Sequence, residues 1–171
     1  MAIQQANFSD DACPSVGTAP LIIRDCTLRE AEQAVGLMAR HKVRNIFMPP
    51  TALKLIRQVE NPAEKFRVRL RTVACAGEPM GADLLEWGRE TFGVTLNEYY
   101  GQTECNLVVA NCAALMEVRP GSMGRAVPGH QVEIIDEAGD VMASGATGRI
   151  VVRTVGMIAV TTARTGVKTA A

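Results

Sequence analysis

The feature that most constrains this chain is a repetition between residues 43 and 99: an apolar run of strand length, a loop marked by Pro or Gly, then a helical pattern, and the same again. Residues 43–48 form the first run and stop at Pro49-Pro50. Leu53, Leu55 and Ile56 then recur at helical spacing, with Thr51 expected as the cap and the helix expected to end near Asn61-Pro62. Residues 70–76 form the second run and close on Gly77-Glu78-Pro79; residues 81–91 follow as a helix that buries Leu84, Leu85 and Trp87. A third run, residues 94–99, leads into Tyr100-Gly101-Gln102-Thr103-Glu104. Strand, loop and helix in alternation imply parallel β-α-β units, and ligands of such sheets gather at the carboxyl ends of strands. Gly77-Glu78-Pro79 and residues 100–104 both fall at such ends.

Four segments follow from the patterning. Residues 1–27 read as irregular, punctuated by Ser9, Asp10, Asp11, Pro14, Gly17 and Pro20. Ser15-Val16-Gly17-Thr18 has one glycine and no lysine, so a plain turn is the better reading than a phosphate loop. Residues 28–106 are the α/β part. It opens with a helix from the capping pair Thr27 and Glu30 to about His41, along which Leu28, Ala31, Ala34, Val35, Met38 and Ala39 share a face. Residues 107–153 read as antiparallel β: strands at 107–111, 131–136 and 148–153, with turns at Pro120-Gly121, Val127-Pro128-Gly129 and Asp136-Glu137-Ala138-Gly139-Asp140. The small-residue tail, 154–171, shows no convincing element. The expected class is α/β, parallel β-α-β units followed by a smaller antiparallel portion.

Composition narrows the function. Eighteen basic and eighteen acidic residues cancel, and no charge run breaks the balance, so a nucleic-acid partner is not expected. The first twenty residues lack the basic start and continuous apolar core of a secretory signal, and no stretch has the length of a membrane span, about 20 apolar residues. The five cysteines show neither metal-ligand spacing nor an even count, which fits a reducing, cytoplasmic compartment.

Tyr-Gly-x-Thr-Glu after a strand offers chemistry on its own. Tyr100 has a flat face for a base, Gly101 lets a ligand approach the backbone, Thr103 can donate to a phosphate oxygen and Glu104 can hold Mg²⁺. Alone, the same residues also make an ordinary strand-turn. His41 reads as a helix-end cap and His130 as a residue after a turn, since neither has a nucleophile or carboxylate at a recognisable spacing. Cys105 reads as a small packing residue, and no Gly-x-Ser-x-Gly elbow points to a hydrolase.

Four segments in order carry a resemblance. They are His41-Lys42-Val43-Arg44-Asn45-Ile46-Phe47-Met48-Pro49-Pro50-Thr51-Ala52-Leu53, Ala76-Gly77-Glu78-Pro79, the stretch from Asn97 to Glu104, and Gly121-Ser122-Met123-Gly124-Arg125-Ala126-Val127-Pro128-Gly129. Together they resemble the adenylate-forming superfamily, most closely its medium-chain acyl-CoA synthetases. In that family a carboxylate attacks the α-phosphate of Mg·ATP to give an acyl-adenylate and pyrophosphate, and the thiol of CoA then takes the acyl group. The resemblance implies that Gly77, Glu78 and Pro79 line the adenine pocket, with Tyr99, Tyr100 and Gln102 in the same nucleotide wall and Tyr100 stacked on the base. It implies that Thr103 contacts the α-phosphate and Glu104 binds Mg²⁺. Short-chain relatives carry tryptophan where Gly101 stands, so a deeper acyl pocket and a medium-chain or aryl acid are expected.

The family's Ser/Thr/Gly-rich phosphate loop and its mobile C-terminal domain have no match here. Arg164-Thr165-Gly166 resembles the start of the ribose-binding segment, but Val167 stands where that segment has aspartate. The chain therefore reads as an internal fragment of a synthetase, improbable as a complete catalyst. The alternative is a truncated, non-catalytic module that keeps part of the fold. Sheet edges left without neighbours are expected to favour self-association.

Overall fold

A computed structural model describes residues 28–154 and 157–160. The expected Thr27 cap, the turn at residues 15–18 and the segment Arg164-Thr165-Gly166-Val167 lie outside the described residues. The first helix, α1 (Leu28–Arg40), is followed by β1 (Asn45–Phe47), α2 (Pro50–Arg57), α3 (Pro62–Phe66), β2 (Thr72–Cys75), α4 (Ala82–Phe92) and β3 (Leu96–Gln102). The β-rich part holds β4 (Asn106–Ala110), β5 (Arg125–Ala126), β6 (Gln131–Ile135), β7 (Arg149–Thr154) and β8 (Met157–Val160).

Two sheets result. The larger runs in the order β1-β2-β3-β4-β5, and the smaller in the order β6-β7-β8. β1, β2 and β3 are parallel, as strands joined by helical crossovers must be, with Phe47 opposite Ala74 and Cys75 opposite Glu98. β3 then pairs antiparallel with β4, and β4 with β5. β7 lies antiparallel to both β6 and β8. The architecture is α/β, a mixed sheet plus a smaller antiparallel one.

The helices cover one face of the parallel strands. Val35 and Met38 of α1, Leu53 and Ile56 of α2, and Leu84 and Leu85 of α4 are buried together with Val73 and Leu96 of the strands. Apolar burial at about 25 cal/mol per Å² is what holds such a layer on its sheet. α4 approaches β3 closely at Gly88, where an added Cβ would lie 2.7 Å from Leu96 Cγ. The helix stops at Gly93, whose φ of 67° is the left-handed geometry that closes a helix without a Cβ penalty. A second cluster, Val108, Val109, Ile134, Ile150 and Val152, lies between β4 and the smaller sheet.

Several boundaries differ from expectation for local reasons. α2 begins at Pro50, in the first-turn position that proline favours, so Thr51 sits inside the helix rather than capping it. Pro62 does not end that helix; after a left-handed Asn61 it starts α3. β3 continues through Tyr100, Gly101 and Gln102, because β4 goes on pairing with it where β2 has ended. The tail was expected to hold no element, yet β8 pairs with β7 across Val151 to Thr154.

Two outcomes follow for stability. Gly88→Ala gains about 1 kcal/mol of helix propensity but overpacks a fully buried Leu96, a change that costs about 1–3 kcal/mol. A lower urea midpoint with unchanged slope is therefore expected. Burial, and then the charge of Glu98, push the Cys75 thiol up from 9.0 to about 12. The unfolded thiol ionises first, so stability on this account is complete below pH 9.0 and falls as pH rises toward 12. Thermal melts across that window should decline less steeply for Cys75→Val than for the native chain.

Candidate functional site at the ends of β2 and β3

Parallel pairing of β2 with β3 brings two loops to the same end of the sheet. The loop carrying Gly77, Glu78 and Pro79 leaves β2 just beyond Cys75, the partner of Glu98 on β3. Gly77 and Pro79 are exposed and Glu78 is half-buried. Gly77 has a φ of 93°, so the loop turns sharply as it leaves the strand. The Glu78 carboxylate accepts a hydrogen bond from the Thr51 hydroxyl at 2.5 Å, which fastens the loop to the first turn of α2. On the other side Met80 N–H donates to Oε1 of Glu98 at 3.3 Å. Asp83, in the first turn of α4, pairs with Arg57 at 2.8 Å, and that guanidinium holds its carboxyl below the usual range.

Strand alternation separates the two tyrosines. Leu96, Glu98 and Tyr100 share the helix-facing side, whereas Asn97 and Tyr99 point to the other. Tyr99 lies 6.4 Å from the Phe47 ring, and burial, more than the nearby Cys112 and Cys75, pushes its phenol up. Tyr100 packs against the second apolar cluster, and its hydroxyl is buried with no hydrogen-bond partner among the described residues. A half-buried aromatic with an orphaned hydroxyl suits a site that a polar, flat ligand completes.

The pairing register of β3 and β4 shifts between Tyr100 and Gly101. At Gly101 an added Cβ would run into the Asn106 carbonyl and lie 2.7 Å from Leu107 Cα, so the approach of β4 itself demands glycine there. Gln102 closes the strand, Thr103 and Glu104 form the exposed turn, and Asn106 accepts the left-handed φ of 60° that returns the chain. Cys105 is buried in the second cluster, as a packing residue would be.

This turn presents one carboxylate and one hydroxyl to solvent. Among the described residues no group of three or more His, Cys, Asp and Glu side chains forms a metal cage. A Mg²⁺ ion would fit here only as Mg²⁺ normally does in nucleotide sites, shared between one carboxylate and the phosphates. The structure thus brings together Gly77, Glu78 and Pro79 with Tyr100 through adjoining strands, and places Thr103 and Glu104 at the tip of the hairpin that Tyr100 enters.

Sequence reasoning gave no site role to Thr51, read as a helix cap, or to Asn97 and Glu98, which stood only within the matched stretch. Asn97 and Glu98 are buried in a strand whose neighbours are apolar. Asn97 donates to the Thr72 hydroxyl at 3.2 Å and accepts from Ala113 N–H at 2.8 Å. Two polar residues in mid-strand were the available signal.

Comparison with known proteins places this geometry in a family. The AMP-binding enzyme family profile matches residues 12–160. An uncharacterised acyl-CoA ligase, YtcI, of Bacillus subtilis is 34% identical over 72% of this chain and 23% of its own length. The human mitochondrial acyl-coenzyme A synthetase ACSM4 is 35% identical over 72% of this chain and 21% of its own. Among solved structures, a Brucella canis acyl-CoA synthetase superposes with a TM-score of 0.65 at 35% identity, over 71% of this chain and 23% of that one. The anthranilate CoA ligase AuaEII, in complex with anthranoyl-AMP, shares the fold with a TM-score of 0.69 at 22% identity, over 82% of this chain and 27% of that one. The chain spans about a quarter or less of the length of the curated relatives it matches. With the fold, the order of its motifs and this profile in agreement, the chain belongs to the AMP-binding enzyme family, the adenylate-forming superfamily that includes the acyl-CoA synthetases.

Proposed function

We propose that this chain forms one wall of the nucleotide site of an AMP-forming acyl-CoA synthetase, which activates a carboxylic acid with ATP and passes the acyl group to CoA. The observation that carries the reading is the join between the loop of Gly77, Glu78 and Pro79 and the β3 segment that ends in Tyr100, made by parallel pairing and by the bond from Met80 to Glu98. Solved relatives with the same fold hold anthranoyl-AMP or ATP, which supports a nucleotide ligand.

In this reading Tyr100 stacks on adenine while Gly77, Glu78 and Pro79 border the ring and Tyr99 and Gln102 complete the wall. The Thr103 hydroxyl donates to an α-phosphate oxygen as the carboxylate attacks and pyrophosphate departs, and Glu104 would hold Mg²⁺. Bound Mg²⁺ supplies neutralisation of the phosphate charge that shifts in this step. A medium-chain or aryl acid, and with it a role in fatty acid metabolism, rests on Gly101 and the resemblance; the close approach of β4 is an independent reason for that glycine.

Among the described residues no helix is long and apolar enough to cross a membrane. Cys75, Cys105 and Cys112 are free thiols, which supports a reducing, cytoplasmic setting, whereas the human relative is named as mitochondrial. Self-association through the edge of β1, which is unpaired among the described residues and lies beside a Phe47 ring that is 42% exposed, belongs to the same proposal.

Calorimetric titration of the chain with AMP, and with Mg·ATP, tests the reading. Tyr100→Ala should weaken both ligands by about tenfold, the scale of one lost stacking platform. Glu104→Ala should weaken Mg·ATP and leave metal-free AMP unchanged. Absence of binding by the native chain, or equal affinities in all three proteins, would leave only the non-catalytic module. Sedimentation at rising concentration reads the β1 edge separately: a lysine at Phe47 (F47K) should shift the chain toward the monomer.

A further inference from the structure

We propose that Glu98 is a positioning residue of this site: its carboxyl group, inserted beneath the loop after β2, holds the Met80 main-chain N–H and so fixes Gly77, Glu78 and Pro79 against β3. The inference deepens the nucleotide reading above and rests on it for its consequence, but the tie itself is a separate matter of fact.

Glu98 is only 6% exposed, in a strand position that faces the apolar helix layer. A carboxyl group there is expensive unless a donor meets it, and the donor is Met80 N–H at 3.3 Å. Outside the strand ladder, no backbone–backbone hydrogen bond reaches residues 78–80 among the described residues. The loop is held instead by two side chains, the Thr51 hydroxyl on Glu78 and the Glu98 carboxyl on Met80. Met80 is well suited to receive that hold, because its side chain is buried in the main core and its sulfur lies 3.4 Å from the Cys75 thiol. Glu98 thus couples the core to the exposed loop through one main-chain donor.

Other titratable groups around Glu98 are accounted for. Cys75 on β2 keeps its proton to about 12, through burial first and the charge of Glu98 second. Glu78 on the loop is taken by Thr51, and Asp83 at the start of α4 by Arg57. Burial pushes the Glu98 carboxyl above its ordinary value, opposed by the Met80 bond. Glutamine at this position keeps an acceptor of the same reach and does not titrate, so the variants can separate acceptor from charge.

The test uses the chain carrying isotope-labelled methionine, with Met80→Leu to assign the Met80 amide signal. In the native protein that signal should move with pH in one step centred above the ordinary glutamate range, and in Glu98→Gln the step should vanish. Loss of the acceptor in Glu98→Ala should weaken AMP by about tenfold, the scale of a lost hydrogen bond to a charged group, while Glu98→Gln stays within about threefold. A Met80 amide with the same pH profile in the native chain and Glu98→Gln overturns the tie. Native-like AMP affinity in Glu98→Ala overturns the positioning role. If the native chain binds no AMP, the nucleotide reading fails, and the Met80 titration alone still decides the tie. If Glu98→Ala does not fold, the comparison with Glu98→Gln decides it in the same way.

Discussion

The double pairing of β3 is the constraint on which the rest depends. Its first half pairs parallel to β2, from Leu96 to Glu98, and its second half pairs antiparallel to β4, from Tyr99 to Gln102. A parallel neighbour requires a crossover, so α4 must lie on the sheet face. An antiparallel neighbour requires only a turn, so the link is short and its tip, Thr103 and Glu104, is exposed. One strand therefore changes from buried framework to solvent-facing site within its own length. The Asn111 N–H bond to the Glu98 carbonyl at 2.9 Å marks where the two regimes meet. The proposed site lies at that transition, where a strand end, a loop from a neighbouring strand and a hairpin tip converge.

Much of this was legible from residue order. Leu53, Ile56, Leu84 and Leu85 announced their helices by spacing, and each is buried. Four matched segments in order, the stretch from Asn97 to Glu104 among them, announced the family, which the profile match supports over residues 12–160. What was not legible was long-range. Nothing in the order of residues shows that Thr51 meets Glu78, 27 positions away, or that β4 would extend β3 through Gln102. β8 was missed because Met157-Ile158-Ala159-Val160 gains its identity from pairing with β7 rather than from local pattern. Proline was misread at Pro62, since the ring that stops a helix from within also starts one at its first turn, and the same property puts Pro50 rather than Thr51 at the start of α2.

The site residues have unequal duties. Glu104 stands in an exposed turn, where a side chain can be exchanged with little effect on packing. Tyr100 belongs both to the proposed ligand wall and to the second apolar cluster with Val108, Val109 and Ile150. That cluster joins the mixed sheet to the smaller one, so the ring that would face a base also helps seat β6 and β7. A change at Tyr100 reports on stability and ligand together, whereas one at Glu104 reports on the ligand alone.

The buried polar residues of β3 explain why this arrangement is not simply replaced by an apolar strand. Valine in place of Asn97 would suit the sheet, yet it would strand Ala113 N–H, which Asn97 Oδ1 accepts at 2.8 Å. The segment beyond β4 would then lose its anchor on the far face. Leucine in place of Glu98 would match Leu96 beside it, and it would leave Met80 N–H buried without an acceptor. Each polar group is expensive to bury, and each is kept by a main-chain donor that has no other acceptor among the described residues. Position by position, β3 alternates between fastening one side of the sheet and fastening the other. The loop after β2 and the segment after β4 are both set from this one strand, which is how a small, mostly apolar sheet would hold the proposed ligand wall in place.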